Sequence, residues 1–295
     1  MALQAALLHD RGVVKVSGDD ARGFLNGLLT IDVAKITPGT ARFGALLTPQ
    51  GKIIADFIVL EATAEDGGGF LIDCPRALAP ALAEKFNFYK LRAKVTVEDL
   101  SGALGVMAVW PGQADSEYGP SFADPRLPDL GTRIILPPDV ASDAATDLGA
   151  ASVDADVYDA YRVSLGVPRG GMDFSYGDTF PHEANMDQLH GVDFDKGCYV
   201  GQEVVSRVEH RGTARSRIVL MAYDDNTPDD GLPVMAGEKQ LGMVGSAVGG
   251  HALALLRLDR LADAMAAGTP IEAGGIKLHA KKPAWATFDF PGDTK

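Results

Sequence analysis

The order of strand-like and helix-like segments predicts an α+β fold, and three observations carry that expectation. Hydrophobic residues make up 46% of the 295 positions against 23% charged, ample apolar surface for a buried core. In the first hundred residues strand-like runs come in adjacent pairs rather than in alternation with helices, which disfavours a doubly wound sheet. From about residue 215 onward strands dominate and turns recur, which reads as a small antiparallel barrel. A chain this long suits two or three modules rather than one core.

Taken in order, Gly12 to Val16 reads as a short strand. Ser17, Asp19 and Asp20 offer caps for a helix that carries Phe24, Leu25, Leu28 and Leu29 on one face. Ala41 to Leu47 and Lys52 to Glu61 read as strands joined by Thr48-Pro49-Gln50-Gly51, a sequence suited to a type I turn. Phe70 to Cys74 is another strand, Pro75 opens a helix to about Phe88, and Ala93 to Val97 returns as a strand. After a strand from Leu104 to Trp110, Pro, Gly and Asp dominate to Pro128 and read as loop. The spacing of Val157, Tyr161 and Leu165 predicts a helix over 154–165, ended by Gly166 and Pro168. Residues 169–195 show little periodicity but hold Phe174, Tyr176, Phe180 and His182, which favours a folded loop lining a site over a disordered insertion. Val204, Val205 and Val208 then share a helical face that Gly212 would end, and strands are expected over 215–223, 243–248, 252–258 and 276–281, with a short helix over 259–267.

The formal charge of −13 repels phosphate backbones, so nucleic acid is not expected as a direct partner. Two cysteines, Cys74 and Cys198, cannot build a disulfide framework, a four-thiolate zinc site or a self-contained iron–sulfur site, and no metal site is expected. Low cysteine usage, the lack of a secretory signal pattern and the lack of any membrane-length apolar run lead to the expectation of a soluble, cytoplasmic protein. GxGxxG, Walker-type, HExxH and GxSxG patterns are absent, which removes the usual support for nicotinamide, ATP and zinc-hydrolase chemistry.

Cys74 ends a strand and reads as a small buried hydrophobe. Cys198 is different, standing in Asp195-Lys196-Gly197-Cys198-Tyr199-Val200-Gly201-Gln202-Glu203. If a helix starts near it, free amides, the helix dipole and the cations Lys196, Arg207, His210 and Arg211 would favour a thiolate. The alternative is an inert thiol whose glycines serve a tight turn. A Cys–His pair with His182, His190 or His210 has no spacing to fix it. The run Arg207, His210, Arg211, Arg215, Arg217 would bind a ligand's carboxylate or phosphate, or pair with surface acids. Asp56, inside an apolar strand, faces either solvent or a cleft, and Glu183, beside His182 and Asn185, either meets a polar heterocycle or is solvated.

Lys196-Gly197-Cys198-Tyr199-Val200-Gly201-Gln202-Glu203 resembles the signature of the YgfZ-type folate-binding proteins, relatives of the glycine-cleavage T-protein that include a mitochondrial iron–sulfur assembly factor. Further matches run through 24–33, 45–52, Tyr89-Lys90-Leu91-Arg92 and Pro181-His182-Glu183-Ala184-Asn185. The resemblance implies a three-module cloverleaf with ferredoxin-like N-terminal parts, a channel for tetrahydrofolate, and a role with iron–sulfur enzymes, including those that modify tRNA. On it, 1–100 would be a folate-binding α+β module, 101–214 a central α+β module with the Cys198 motif, and 215–295 the barrel. Cys198, Lys196 and Asp56 would be the working residues, and Glu183, Asn185, Tyr199, Gly201, Gln202, Glu203, Arg207 and Arg211 would surround the cofactor. Glu183 matches the T-protein glutamate that contacts the folate ring, whereas the T-protein lacks a cysteine at the position of Cys198. Where the T-protein strand has two adjacent aspartates this chain has Ala55-Asp56, which puts aminomethyl transfer in question. The leading expectation is a monomeric folate-binding accessory protein whose partners are iron–sulfur enzymes or assembly proteins. The alternatives are a tetrahydrofolate-dependent aminomethyltransferase and a non-catalytic folate-binding scaffold.

Overall fold

In the computed structural model, which describes residues 2–212, 214–224 and 226–292, the chain forms two compact units. One comprises Met1–Tyr158 with Leu189–Gln202, the other Asp159–Gln188 with Glu203–Lys295. The mixed α+β class is borne out.

The first unit opens with β1 (Gln4–Leu8), β2 (Arg11–Ser17) and α1 (Ala21–Leu28). It continues with β3 (Ala41–Leu47), β4 (Ile53–Glu61), β5 (Phe70–Pro75), α2 (Ala79–Tyr89) and β6 (Thr96–Asp99). These strands, β1 excepted, make an antiparallel sheet in the order β3-β4-β5-β2-β6. The turn between β3 and β4 closes as expected, with Gly51 N donating to Thr48 O at 2.8 Å. Alternation places Ala55, Phe57 and Val59 of β4 with Val14, Val16, Phe70 and Ile72 on the face that packs against Leu25 of α1 and Phe86 of α2. Burying that stripe is what holds the two helices, each too short to persist alone. Asp20 precedes α1 but does not cap it through its side chain, which accepts instead from Lys94 N at 2.7 Å.

A second sheet runs through β7 (Gly105–Trp110), β8 (Ser121–Ala123), β9 (Thr132–Leu136) and, after α3 (Ala141–Asp147), β10 (Ala151–Ser152). Its order is β10-β1-β7-β9-β8, so β1 pairs with β7 rather than with the strands that follow it in sequence. A short strand, β8, interrupts the stretch expected to be loop.

The opposite face of the first sheet is buried too, and it is charged. Ile58 and Asp73 are cross-strand partners, so Asp56, two residues from Ile58, shares their face. Asp56 is 6% exposed, which overturns a solvent-facing role. Arg11 donates to Asp73 Oδ1 at 2.6 Å, and Arg133 of β9 donates to Asp73 Oδ2 at 2.6 Å and to Asp124 Oδ2 at 2.8 Å. Arg126 closes the chain on Asp124 at 2.7 and 2.9 Å. Three guanidinium groups thus face three carboxylates once Asp56 is counted, and its charge joins that of Asp73 in keeping Arg11 ionised against burial. Burial alone would push the Asp124 carboxyl up, but Arg126 and Arg133 outweigh it and hold Asp124 well below the usual carboxylate range.

α4 (Ala155–Ser164) buries Tyr158, Arg162 and Val163, while Val157 is exposed. The expected apolar face was set on Val157, Tyr161 and Leu165, and it is displaced because Arg162 turns inward to Asp173 at 2.9 Å and Ser246 at 2.9 Å. The second unit continues with a string of turns over 169–188 and with α5 (Gln202–Arg211), whose first residue, Gln202, closes the first unit. Then come β11 (Ser216–Ala222), β12 (Pro233–Ala236), β13 (Lys239–Val248), β14 (His251–Arg257) and α6 (Leu258–Ala266). The last strands are β15 (Ile271–Ala273), β16 (Ile276–Lys277) and β17 (His279–Lys281). The strand order β16-β15-β12-β13-β14-β11-β17, antiparallel throughout, makes a nearly closed seven-stranded barrel. The short strands β12 and β15 were not anticipated.

Removing the central guanidinium with Arg133→Met should cost about 3–5 kcal/mol, because it leaves two buried carboxylates each short of a partner. Urea unfolding measures it. Acid behaviour follows from the same contacts. Asp124 is depressed in the folded state, so its contribution is present above the ordinary carboxylate range, about pH 4, and drains away as pH falls towards the depressed value.

Candidate functional site

The segment 189–202 of the first unit is stitched to the end of α1 and the start of β3. Thr30 Oγ1 donates to Gly191 O at 2.6 Å and accepts from Ala45 N at 2.9 Å, and Asp193 N donates to Thr30 O at 2.9 Å. Lys35 binds Asp193 Oδ2 at 2.7 Å. Burial would raise Asp193, but Lys35, the Asp195 amide and Arg42 together hold it below its ordinary value.

Lys196 is the strongest of these ties. Its Nζ donates to Asn26 O at 2.7 Å, Leu29 O at 2.7 Å and Ile31 O at 2.8 Å, using all three of its protons. Asn26 lies in the last turn of α1, where carbonyls lack amide donors and the helix dipole favours a cation. The residue is 8% exposed, and burial pushes its ammonium down to about 8 against the opposing charges of Asp32 and Asp193. At neutral pH it is still the three-proton donor. Its charge also lies 5.0 Å from the Tyr199 ring, which is itself buried.

The far end of the motif is held by sterics. Gly201 has φ +84°, and a Cβ there would meet Thr48 O at 2.6 Å and Gly51 Cα at 3.2 Å, both backbone atoms of the β3–β4 turn. Val200 packs on the core under the first sheet. Between these anchors Gly197 and Cys198 are exposed. α5 begins only at Gln202, so Cys198 does not sit at a helix N-terminus, and the expected dipole contribution is corrected. The Lys196 ammonium is directed at three backbone carbonyls. Cys74, by contrast, is fully buried, and burial pushes its thiol up to about 12.

In the second unit Arg217 organises the loop that carries Glu183 and Asn185. It donates to His182 O at 2.9 Å and to both oxygens of Asp187 at 2.7 and 2.9 Å, with its guanidinium 4.8 Å from the Phe288 ring. Arg217 is therefore a buried structural cation, neither a surface charge nor a free anion site. Asn185, at φ +57° and with no exposure, gives its amide to Ile218 O at 2.8 Å. Glu183 is half-buried and accepts from Phe180 N at 2.9 Å. Glu203 and Arg207 are exposed and paired with each other at 2.5 Å, Arg211 is exposed, and Gln202 is half-buried.

His182, Asp187 and Glu209 were not anticipated as a group. His182 Nε2 lies 3.0 Å from Glu209 Oε2, and one donor atom from each of the three falls within 4.8 Å of the others. They border a cavity of about 350 Å³ with Arg217 and Asp289. Because Arg217 already grips both oxygens of Asp187, a cation there would have to share that carboxylate.

Two family descriptions match parts of the chain: the GCVT N-terminal domain over residues 8–116, and the CAF17 C-terminal beta-barrel domain over 215–288. The chain is 32% identical to the mitochondrial iron-sulfur cluster assembly factor IBA57 homolog of Pyricularia oryzae, over 90% of this chain and 75% of that one. It is 31% identical to mitochondrial iron-sulfur cluster assembly factor IBA57 of Mus musculus, over 94% and 84%. The Mycosarcoma maydis homolog is 36% identical over 74% of this chain, which spans 57% of that relative's length. Among solved structures, the glycine cleavage system aminomethyltransferase T of Bartonella henselae shares the fold, with TM-score 0.75 and 17% identity over 98% of this chain and 88% of that one. All three sequence relatives are named as mitochondrial, which corrects the expectation of a cytoplasmic protein. Low cysteine usage separates reducing from oxidising compartments but does not choose between two reducing ones. No helix among the described residues is long and apolar enough to cross a membrane.

Two outcomes are expected. A thiol reagent such as DTNB should titrate one cysteine in the native protein and two after unfolding, and the native signal should vanish in Cys198→Ala. Lys196→Met should cost about 3 kcal/mol, since three backbone carbonyls, two of them buried, lose a charged donor. Lys196→Arg should not restore that loss in urea unfolding, because a planar guanidinium cannot replace one nitrogen aimed at three acceptors.

Proposed function

The chain belongs to the IBA57 family of iron–sulfur cluster assembly factors, and from that membership we propose that it assists assembly or repair of iron–sulfur proteins, binds tetrahydrofolate, and uses Cys198 as its working thiol. The observation that carries the thiol role is the contrast between the two cysteines. Cys74 is sealed in the core, while Cys198 stands exposed between two anchors. One protein thiolate cannot hold a cluster unaided, so iron would be shared with ligands from an assembly protein or a recipient enzyme.

Folate is supported by the GCVT N-terminal match and by the aminomethyltransferase fold. The donor chemistry fits. The ring N–H and amino groups of a pterin call for a carboxylate acceptor, which Glu183 would supply. Lys196 and Asn185 already donate to backbone carbonyls and would act by shaping their loops rather than by direct contact. Bound folate would bring a one-carbon carrier. A second reading, tetrahydrofolate-dependent aminomethyl transfer, is favoured by the burial of Asp56, which places a carboxylate away from bulk water.

Cys198→Ala in a strain deleted for this protein should lower iron–sulfur enzyme activity while melting temperature and folate affinity hold. Full complementation would remove the thiol role. Tetrahydrofolate at a hundred times its Kd should add about 2.7 kcal/mol of stability. No heat and no melting shift at saturation would refute folate binding, and turnover of an aminomethylated carrier that depends on Asp56 would establish the second reading.

A further inference from the structure

We propose that residues 88–92, at the end of α2, dock a partner protein through a face that presents an apolar pocket flanked by carboxylates. The inference rests on the reading of this chain as an iron–sulfur assembly factor and adds where its partner is held.

Phe88 and Leu91 are 76% and 88% exposed, and no other large hydrophobic side chain among the described residues exceeds 45%. Paired exposure of that size marks an interaction surface more often than a chance of sequence. α2 is held to its sheet through Leu82, Ala83 and Phe86, so Phe88 is turned away from the core that keeps the helix in place. Its ring meets the Tyr89 ring edge-on, with centroids 5.6 Å apart.

Leu91 is the more telling residue. It follows Lys90, the C-cap of α2, with φ +43°, the left-handed position on which helices ordinarily end with glycine. A Cβ there works against the backbone, and an exposed leucine recovers none of that cost by burial. Glycine would serve the fold as well or better. The leucine is accounted for by an apolar contact made outside the chain.

Charge states the chemistry of that contact. Lys90 and Arg92 bracket Leu91, and neither is paired with a carboxylate among the described residues, in a chain of formal charge −13. Lys94 is engaged by contrast, with its amide on Asp20 Oδ2 at 2.7 Å and its ammonium 3.9 Å from Asp19 Oδ2. Beside the tip lies an open cavity of about 560 Å³ bordered by Asp19, Asp20, Phe24, Tyr89 and Arg92. A folded partner can match both the projecting pair and the hollow next to it. A bilayer offers nothing to fill the hollow, and its continuous anionic plane would also face Asp19 and Asp20. Protein carboxylates can be set at two points, one for each unpaired cation, around a pocket for Leu91 and Phe88.

The test uses Leu91→Gly, Phe88→Ser and the pair Lys90→Glu with Arg92→Glu in the full chain. Met265→Ser, an exposed position of the second unit, is the control. Each is put through urea unfolding and complementation of the deletion strain. Leu91→Gly should unfold at or above the parent's midpoint, because glycine suits the left-handed cap, while iron–sulfur enzyme activity falls at least five-fold. Phe88→Ser and the charge-reversed pair should lose activity likewise, and Met265→Ser should keep it. In the deletion strain, p-benzoylphenylalanine in place of Phe88 should cross-link a different protein at a segment rich in Asp and Glu, and Leu91→Gly should abolish that cross-link. Full activity in Leu91→Gly would overturn the proposal and leave the assembly role standing. So would a lowered midpoint, which would give the leucine a place in the fold. Full activity of the charge-reversed pair would refute an acidic partner. No cross-link, or one only to phospholipid or to a second copy of this chain, would overturn docking of a partner protein. A deletion strain with undiminished iron–sulfur enzymes would instead refute the assembly role itself.

Discussion

Asp73 is wholly buried, and two guanidinium groups meet on it, Arg11 from its own sheet and Arg133 from the other. Placing one carboxylate between two sheets constrains both. β9 must run in the register that delivers Arg133, and Arg133 must in turn reach Asp124, which Arg126 completes. A missing member would leave an ion in low dielectric without compensation, so the layer is built whole or it is a liability. The first sheet therefore has two buried faces of opposite character. Its apolar face holds α1 and α2, and its charged face holds the second sheet.

That arrangement explains where the sequence was readable and where it was not. Alternation along β4 is visible in the residues and gives its apolar face directly. Alternation alone says that Asp56 points the other way; it cannot say whether that side meets water or another sheet. Helical spacing found α4 but chose the wrong face, because Arg162 is scored as polar and is in fact turned inward to Asp173. Arg217 was misjudged for the same reason, since a cation buried by Asp187 and Phe288 looks in sequence like any surface arginine. Pairing partners such as Arg133 and Asp73 lie 60 residues apart, and no local pattern records them. The barrel was legible as a whole because many short strands with turns have few other solutions, whereas β12 and β15 are too short to announce themselves.

The cysteine motif was legible as a signal and opaque as a structure. Spacing suggested a helix terminus and cationic neighbours, both local effects. The structure replaces them with long-range ones: Lys196 reaches carbonyls 165 to 170 positions away, and Gly201 is pressed on the turn between β3 and β4. The pattern of the motif follows from this. Lysine is needed because one nitrogen must satisfy three acceptors, and an aromatic ring at 199 lies against the ammonium. Gly201 is required because backbone occupies the place of its Cβ.

The two cysteines then complete the argument from opposite sides. Cys74 adjoins the charged layer in sequence but faces the apolar core, and burial without a dedicated cation drives its thiol towards the protonated, unreactive form. Thiol accessibility is thereby confined to one position. The exposed thiol has no second accessible protein thiol within the described chain with which to form an internal disulfide or complete a ligand set, since the other is sealed.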